Sequence, residues 1–404
     1  YITKKILTFD QIGVSCQGTF LENTSLTQDK YLFIRSLSPE KDFKTVIIDF
    51  QNNDVIKNVM NPDIAVMNPT RCIIAGYKNY QFKSEILIIN VPDFLTINKF
   101  TLLNLQFAKY MKWIDGYTLS FITDDSVFHW FPFLPNSKPF LVFKLHSQIK
   151  PNSIINYSIS HDKEWCAVTS KNWKVQLYSC LSKKSKIFDS NSAAFIKDGL
   201  STKFAYILKN DNPFENSVTL HISQLNSSSD DLSLENKSVK LPGLKPLDLS
   251  QFDYEIIIIS PHFSTIFVLN QYGVLYCVEI ETLFVYISKQ DSFSRPVHAA
   301  LTNDGNVITL TDHGEVIKFI LDEDKIVDYI SKGNKKAANF VANAIKSKNL
   351  IKFDQMLQIG NFSEAARFAV NSAEDPIRNQ ETIERIRNIP NITGEPIPPL
   401  IQYS

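Results

Sequence analysis

Short runs in which apolar and polar residues alternate, separated by polar turns, fill the chain from its start to about Ile330. Alternation with period two places one face of each run against a core, the pattern of half-buried β-strands. Tyr31–Arg35 and Thr45–Phe50 read as two strands around a polar loop, and Ile64–Met67, Cys72–Ala75 and Glu85–Val91 as a further set. Tyr117–Thr123 and Ser126–Phe131 flank Asp124 and Asp125, a hairpin signal. Ile154–Ser158, Trp165–Ser170 and Lys174–Ser179 follow, then Ala193–Ile196, Phe204–Leu208 and Ser217–Ile222. Two complete four-strand groups close the series. One is Glu255–Ser260, Thr265–Asn270, Leu275–Ile280 and Phe284–Ser288; the other is Val297–Thr302, Asn306–Thr311, Glu315–Leu321 and Ile326–Ile330. The stretch Gln224–Leu249, rich in Ser and Asp, reads as a long loop between strands.

About seven such groups recur at intervals of roughly 35–60 residues, the period of propeller blades. A β-sandwich rarely extends so far, and two unrelated β domains would leave many strand edges exposed, whereas cyclic closure protects them. The groups lack the Gly-His and Trp-Asp signatures of WD40 blades. After Gly333 the period changes to that of a helix. Ala337, Phe340, Val341, Ala344 and Ile345 share one face, and so do Phe353, Met356 and Leu357. Asn361 is a suitable N-cap for a helix running to Val370, and Thr382–Ile389 reads as another, stopped by Pro390. The ending Leu400, Ile401 and Tyr403 is apolar, the expectation for a chain that continues into further helical pairs. The fold class expected is therefore mainly β, a seven-bladed β-propeller over residues 1–331, followed over 332–404 by an α-helical linker that begins an α-solenoid.

Composition narrows the function more than the fold. The 42 Lys and Arg balance 42 Asp and Glu, which removes the basic excess that phosphate binding normally needs. Glycine, 12 of 404 residues, is about half as frequent as usual, so phosphate-cradling glycine loops are disfavoured, and no such motif occurs. Cys16, Cys72, Cys166, Cys180 and Cys277 are odd in number and contain no CxxC, which suggests neither a disulfide framework nor a zinc site. Apolar runs fall well short of the ~18 residues a spanning helix needs. The amino terminus offers too short an apolar run for a signal peptide, and the reading is a soluble cytoplasmic protein.

The candidates for chemistry are few. None of the seven histidines stands at metal-ligand spacing from another, and His129 follows a strand alternation. The pairs Asp124–Asp125 and Asp230–Asp231 lie in turns, where Asp is favoured for backbone reasons. Lys183–Lys184 and Lys335–Lys336 read as solvated charge. No enzyme is expected, and no cofactor or metal is implied.

Ordered motif blocks carry a family resemblance. They are VIID at Val46–Asp49, AVMNP at Ala65–Pro69, Lys112–Trp113, FITD at Phe121–Asp124 and VFHW at Val127–Trp130. IINY at Ile154–Tyr157, Trp165, VQLYS at Val175–Ser179, GNFSEAA at Gly360–Ala366 and PLIQY at Pro399–Tyr403 continue the series. Across nearly its whole length the chain resembles the clathrin heavy chain, in its amino-terminal domain and the start of its helical leg. The resemblance implies a seven-bladed propeller that reads short clathrin-box peptides of adaptor and accessory proteins in grooves between blades, as part of a vesicle coat in endocytosis. It implies the cytoplasmic face of coated pits and vesicles as location, with membrane reached only through adaptors. Light chain and other heavy chains would bind through regions beyond this chain.

Carried over position by position, the groove between blades one and two uses Ile56, Ile74, Leu87 and Ile89. Asn58 stands where the family commonly has a basic residue, Leu87 and Ile89 where it has Gln and Phe, and Lys99 is the substitute for the lysines that usually follow. The apolar part of the groove is kept, and its preference for acidic peptides is expected to weaken. A groove between blades four and five uses Trp165, Leu177 and Lys186, and a site on the top surface uses Leu21 with Phe20, Ser153 and Ile155. The competing reading makes the apolar residues ordinary blade core. A second class is a propeller–solenoid subunit of another coat or pore complex, of coatomer or nuclear-pore type. A propeller hydrolase would need clustered histidines or carboxylates at the central channel.

Overall fold

The alternation read from the sequence resolves, in a computed structural model of the chain, into seven four-stranded antiparallel sheets among the described residues. The structure describes residues 1–14, 24–27, 30–37, 43–52, 54–58, 62–80, 83–91, 93–102, 107–199, 201–209, 218–225, 236–241, 256–270, 273–290 and 294–371. Blade one runs from Ser25–Thr27 to Asp54–Asn58, blade two from Ile64–Met67 to Thr96–Leu102, and blade three from Tyr110–Trp113 to Phe140–Lys144. Blade four spans Ile154–Ile159 to Ser185–Phe188, blade five Ser190–Asp198 to Asn236–Leu241, and blade six Ile256–Ser260 to Val285–Gln290. Within each of these six, strands pair in chain order. The first strands of successive blades touch one another all the way round, blade seven (first strand Pro296–Leu301) meeting blade one, which makes the ring a closed propeller.

Two readings of the sequence are corrected. Ile326–Ile330 is helical, part of α1 (Glu323–Ser331), and the fourth strand of blade seven is Ile2–Thr8, which pairs with Glu315–Ile320. Within Gln224–Leu249, Asn236–Leu241 forms the outer strand of blade five and pairs with Val218–Leu225. The remainder of that segment, 226–235 and 242–249, lies outside the described residues, as does the helix expected at Thr382–Ile389.

Side-chain alternation divides each blade between its two neighbours. In blade one, Leu32, Ile34, Val46 and Ile48 pack with Ile308, Leu310 and Val316 of blade seven. The intervening Phe33 and Ile47 pack with Ala65, Met67 and Ile74 of blade two. The core is thus a series of apolar seams between sheets, and burial of the large side chains there is the main stabilising term. Turns are closed by acceptor side chains. Asp49 accepts from the Gln51 and Asn52 amides, Asp115 from those of Tyr117 and Thr118, and Glu279 from those of Glu281 and Thr282. These side chains satisfy backbone donors that the strands leave open.

A second compact unit comprises, among the described residues, Pro261–Thr265 and Asp322–Asn371. It contains α1, α2 (Lys335–Gln358) and α3 (Phe362–Asn371). Asn334 caps α2, its side chain accepting from the Ala337 amide at 3.0 Å. Phe353 of α2 packs on Ala365, Ala366 and Ala369 of α3, small residues that let the two helices approach closely.

Candidate functional site

The register of blades one and two brings residues far apart in sequence to one seam between the blades. In blade one, Phe33 lies opposite Ile47 and Ile47 opposite Ile56, while Thr45 faces Asn58 and Asp49 faces Asp54. In blade two, Met67, Ile74, Ile89 and Thr96 form one cross-strand row, and Ala65, Gly76, Leu87 and Lys99 the next. Residues paired directly across antiparallel strands share a face. Because Phe33, Ile47 and Ile56 of the first blade pack with Ala65, Met67 and Ile74 of the second, these two faces look at each other. Ile56, Ile74, Leu87, Ile89 and Lys99 therefore belong to the two facing sheet surfaces of this seam, and Asn58 pairs in register with Thr45.

Burial sorts them into floor and rim. Ile74 has no exposure and Ile89 only 7%, so both belong to the packed floor. Ile56 and Leu87 are half-buried and Lys99 is exposed. Gly76, beside Leu87, leaves space that a methyl group would fill against Pro62 at 3.4 Å. Two features escaped the reading of the sequence. Arg35, in the Thr45 row, is 4% exposed and donates from Nη1 to the Asp63 carbonyl at 2.8 Å, tying blade one to the entry of blade two. Burial lowers the pKa of its guanidinium. The other is Asp54, exposed on the outer strand of blade one, where it lies opposite the turn-closing Asp49. An arginine inside an apolar run was the available signal for the first.

The second predicted group occupies the seam between blades four and five. Trp165 lies opposite Ser179, Leu177 opposite both Ala167 and Lys186, and Val175 opposite Phe188, all on one face. That face packs on Ala193, Phe204, Tyr206 and Leu225 of blade five. Trp165 and Leu177 are buried, whereas Lys186 is half-buried with its Nζ 5.5 Å from the centre of the Phe188 ring. Phe188 in turn contacts Phe204 and Tyr206, and Tyr206 stacks on His221 at 5.3 Å, so this seam is aromatic where the first is aliphatic. Burial holds His221 below its ordinary pKa.

At the third predicted site, Ser153 closes a turn, its hydroxyl donating to the Lys150 carbonyl at 2.7 Å. Ile155 is the bulged residue between Ile154 and Asn156 at the start of blade four. Leu21 and Phe20 lie outside the described residues. Asp124 and Asp125 form a hairpin tip, Asp124 being 3.3 Å from Lys109 Nζ. Among the described residues no group of three His, Cys, Asp or Glu side chains could hold a metal ion, and no helix is long and apolar enough to cross a membrane.

Known proteins provide an independent comparison. The sequence model of the Clathrin-H-link family matches residues 349–404. A probable clathrin heavy chain of Schizosaccharomyces pombe is 24% identical over 418 residues, covering 99% of this chain and 24% of its own length. The clathrin heavy chain of Dictyostelium discoideum is 24% identical over 423 residues, with the same coverage of both chains, 99% and 24%. That of Drosophila melanogaster is 24% identical over 423 residues, covering 98% of this chain and 24% of the relative. The chain thus spans about a quarter of the length of these curated relatives. Among solved structures, a chain of a mitotic checkpoint complex superposes with a TM-score of 0.53 at 11% identity, over 80% of this chain and 91% of that one. The Cps50 (Swd1) β-propeller domain of Myceliophteria thermophila gives 0.50 at 7%, over 79% and 100%. At such identities the structural likeness speaks to fold alone. The sequence matches go further, because they cover nearly the whole chain, blades and helices alike. On that coverage, the chain is similar to the amino-terminal quarter of clathrin heavy chains across nearly its whole length, and its residues 349–404 match the Clathrin-H-link family.

Proposed function

We propose that the chain is the peptide-reading, non-enzymatic part of a vesicle-coat subunit. Its propeller, residues 1–331 as read from the sequence, takes short extended peptides of adaptor and accessory proteins into the cleft between blades one and two. The helical part, 332–404, begins the leg that joins the coat. The observation that carries the reading is the convergence of half-buried Ile56 and Leu87 with exposed Lys99 over a floor of Ile74 and Ile89. An extended strand suits such a cleft because alternate side chains can enter apolar recesses while the backbone stays solvated.

Apolar burial supplies about 25 cal/mol per Å², less the cost of ordering the peptide, so a single motif binds weakly. Many motifs on many propellers then act together through effective concentration. Exposed Asp54 and exposed Lys99 lie on the outer strands of the two blades, and this near balance of charge favours apolar peptides with few acidic neighbours. The seam of Trp165, Leu177 and Lys186, and the surface near Ser153 and Ile155, are proposed as secondary sites. Coat assembly with other heavy chains and with light chain, and work at the cytoplasmic face of coated pits and vesicles in endocytosis, belong to the same proposal.

The test is a titration of the chain with apolar clathrin-box peptides in acidic and charge-neutral versions. Saturable binding with similar affinity for both is expected, and Leu87→Glu should abolish it without unfolding the protein. A folded Leu87→Glu variant that binds as before would remove the first cleft from the proposal.

A further inference from the structure

Two cysteines that look unrelated in the sequence meet in blade four. Cys166 lies in the strand Trp165–Ser170 and pairs with Tyr178 of the strand Lys174–Ser179. Cys180 follows two positions after Tyr178, on the same face, and its amide donates to the Glu164 carbonyl at 2.7 Å. This bond extends the ladder past the strand end and holds the second cysteine diagonally beside the first. Their Sγ atoms are 3.7 Å apart. Both are free thiols, Cys166 buried and Cys180 half-buried.

The surroundings of the two sulfurs differ. Cys166 also meets the hydroxyl of Tyr157, which lies 2.8 Å from Nε2 of buried His129 in blade three. Cys180 borders the turn that carries Lys183, held with φ of 59°. A hydrogen bond from the Cys166 thiol, helped by the Lys183 charge, favours the thiolate at Cys180. That bond, and then burial, raise the pKa of Cys166. By contrast, Cys72 sits against Tyr31 and burial raises its thiol, while Cys277 is fully buried.

We infer that Cys166 and Cys180 are a dithiol oxidation site, at which Cys180 reacts with a hydroperoxide and Cys166 resolves the product into a disulfide within blade four. In the first step the Cys180 thiolate attacks the terminal peroxide oxygen. The O–O bond breaks, the alkoxide leaves and takes up a proton, and Cys180 becomes a sulfenic acid after giving two electrons to the peroxide. In the second step the Cys166 sulfur attacks the Cys180 sulfur, the S–O bond breaks, and water leaves with the Cys166 proton. Two thiols and one hydroperoxide thus give one disulfide, one alcohol and one water. The sulfurs need to close from 3.7 Å to a bonded ~2.05 Å. The order of reaction follows from access, since only Cys180 is open to solvent.

The experiment treats the chain with hydrogen peroxide, blocks free thiols by alkylation at intervals, and reads unreduced digests by mass spectrometry. One cross-linked peptide pair, Cys166 with Cys180, is expected, forming at least about tenfold faster than Cys72 is lost, because rates follow thiolate fraction and access. In Cys166→Ser, Cys180 should accumulate as a sulfenic acid that dimedone traps, and in Cys180→Ser, Cys166 should oxidise no faster than Cys72. Urea midpoints establish that both variants fold, and the wild-type cross-link is decisive by itself if they do not. Oxidation of Cys72 ahead of this pair, or a cross-link joining Cys180 to any other cysteine, would overturn the inference.

Discussion

Nε2 of His129 lies 2.8 Å from the hydroxyl of Tyr157, a polar contact that bridges blades three and four inside an apolar seam. Burial is the main cause that pulls His129 from its ordinary 6.5 down to about 4, with Asp115 opposing and Lys163 assisting. The imidazole is therefore neutral at pH 7 and able to share a proton with the phenol.

A pH dependence of stability follows from that depression. The unfolded chain protonates the imidazole near pH 6.5, whereas the folded one resists until about pH 4. The contribution is fully present above pH 6.5 and is lost as pH falls through this window, by about 3 kcal/mol in all. Urea midpoints measured between pH 7 and 4 should fall, and His129→Gln, which keeps a polar group near Tyr157, should flatten that part of the slope. An unchanged slope in the variant would assign the acid sensitivity to other groups.

Floor and rim of the first cleft should separate by mutation. Ile74, without exposure, should cost about 2–5 kcal/mol on replacement by alanine, the range for a buried isoleucine. Leu87 is half-buried, and Leu87→Ala should cost about 1 kcal/mol while weakening peptide binding. Paired urea melts and peptide titrations measure both. If Leu87→Ala destabilises as much as Ile74→Ala, Leu87 is core and the cleft is shallower than its register implies.

Removing the cap of α2 should loosen only its first turn. Asn334→Ala deletes the bond to the Ala337 amide, a loss of about 1 kcal/mol. Hydrogen exchange at the amides of the first turn should quicken roughly fivefold, because 1 kcal/mol is about that factor in an opening equilibrium. Exchange in the blade strands should not change.

What the sequence revealed depended on how local each signal was. The strands Thr265–Leu269 and Val274–Glu279 stand out because their apolar alternation and the turn between them are contiguous. Asn236–Leu241 was read as loop because an outer strand facing solvent needs little hydrophobic alternation, and only Val239 and Leu241 are apolar. Ile326–Ile330 fits strand and helix templates alike over five residues, and its Asp322 start was the feature that favoured a helix. The cleft residues came from family resemblance, and their division into floor and rim was hidden because core and groove use the same aliphatic residue types. The meeting of Cys166 with Cys180 depends on cross-strand register, which spacing along the chain does not encode.

The pairing of Ile2–Thr8 with Glu315–Ile320 sets a timetable for biosynthesis. Lys5 and Glu315, joined in the finished ring, are 310 positions apart. At about 5–20 residues per second, the first strand leaves the ribosome roughly 15–60 s before its partner exists. Throughout that delay the six middle blades can form while the ring stays open, with Ile2 and Ile6 on an unpaired strand. Lys4 and Lys5 lie between those isoleucines, and charges placed there discourage pairing with another nascent chain. The order of translation thus makes ring closure the last step available to the propeller, taken only when blade seven is complete.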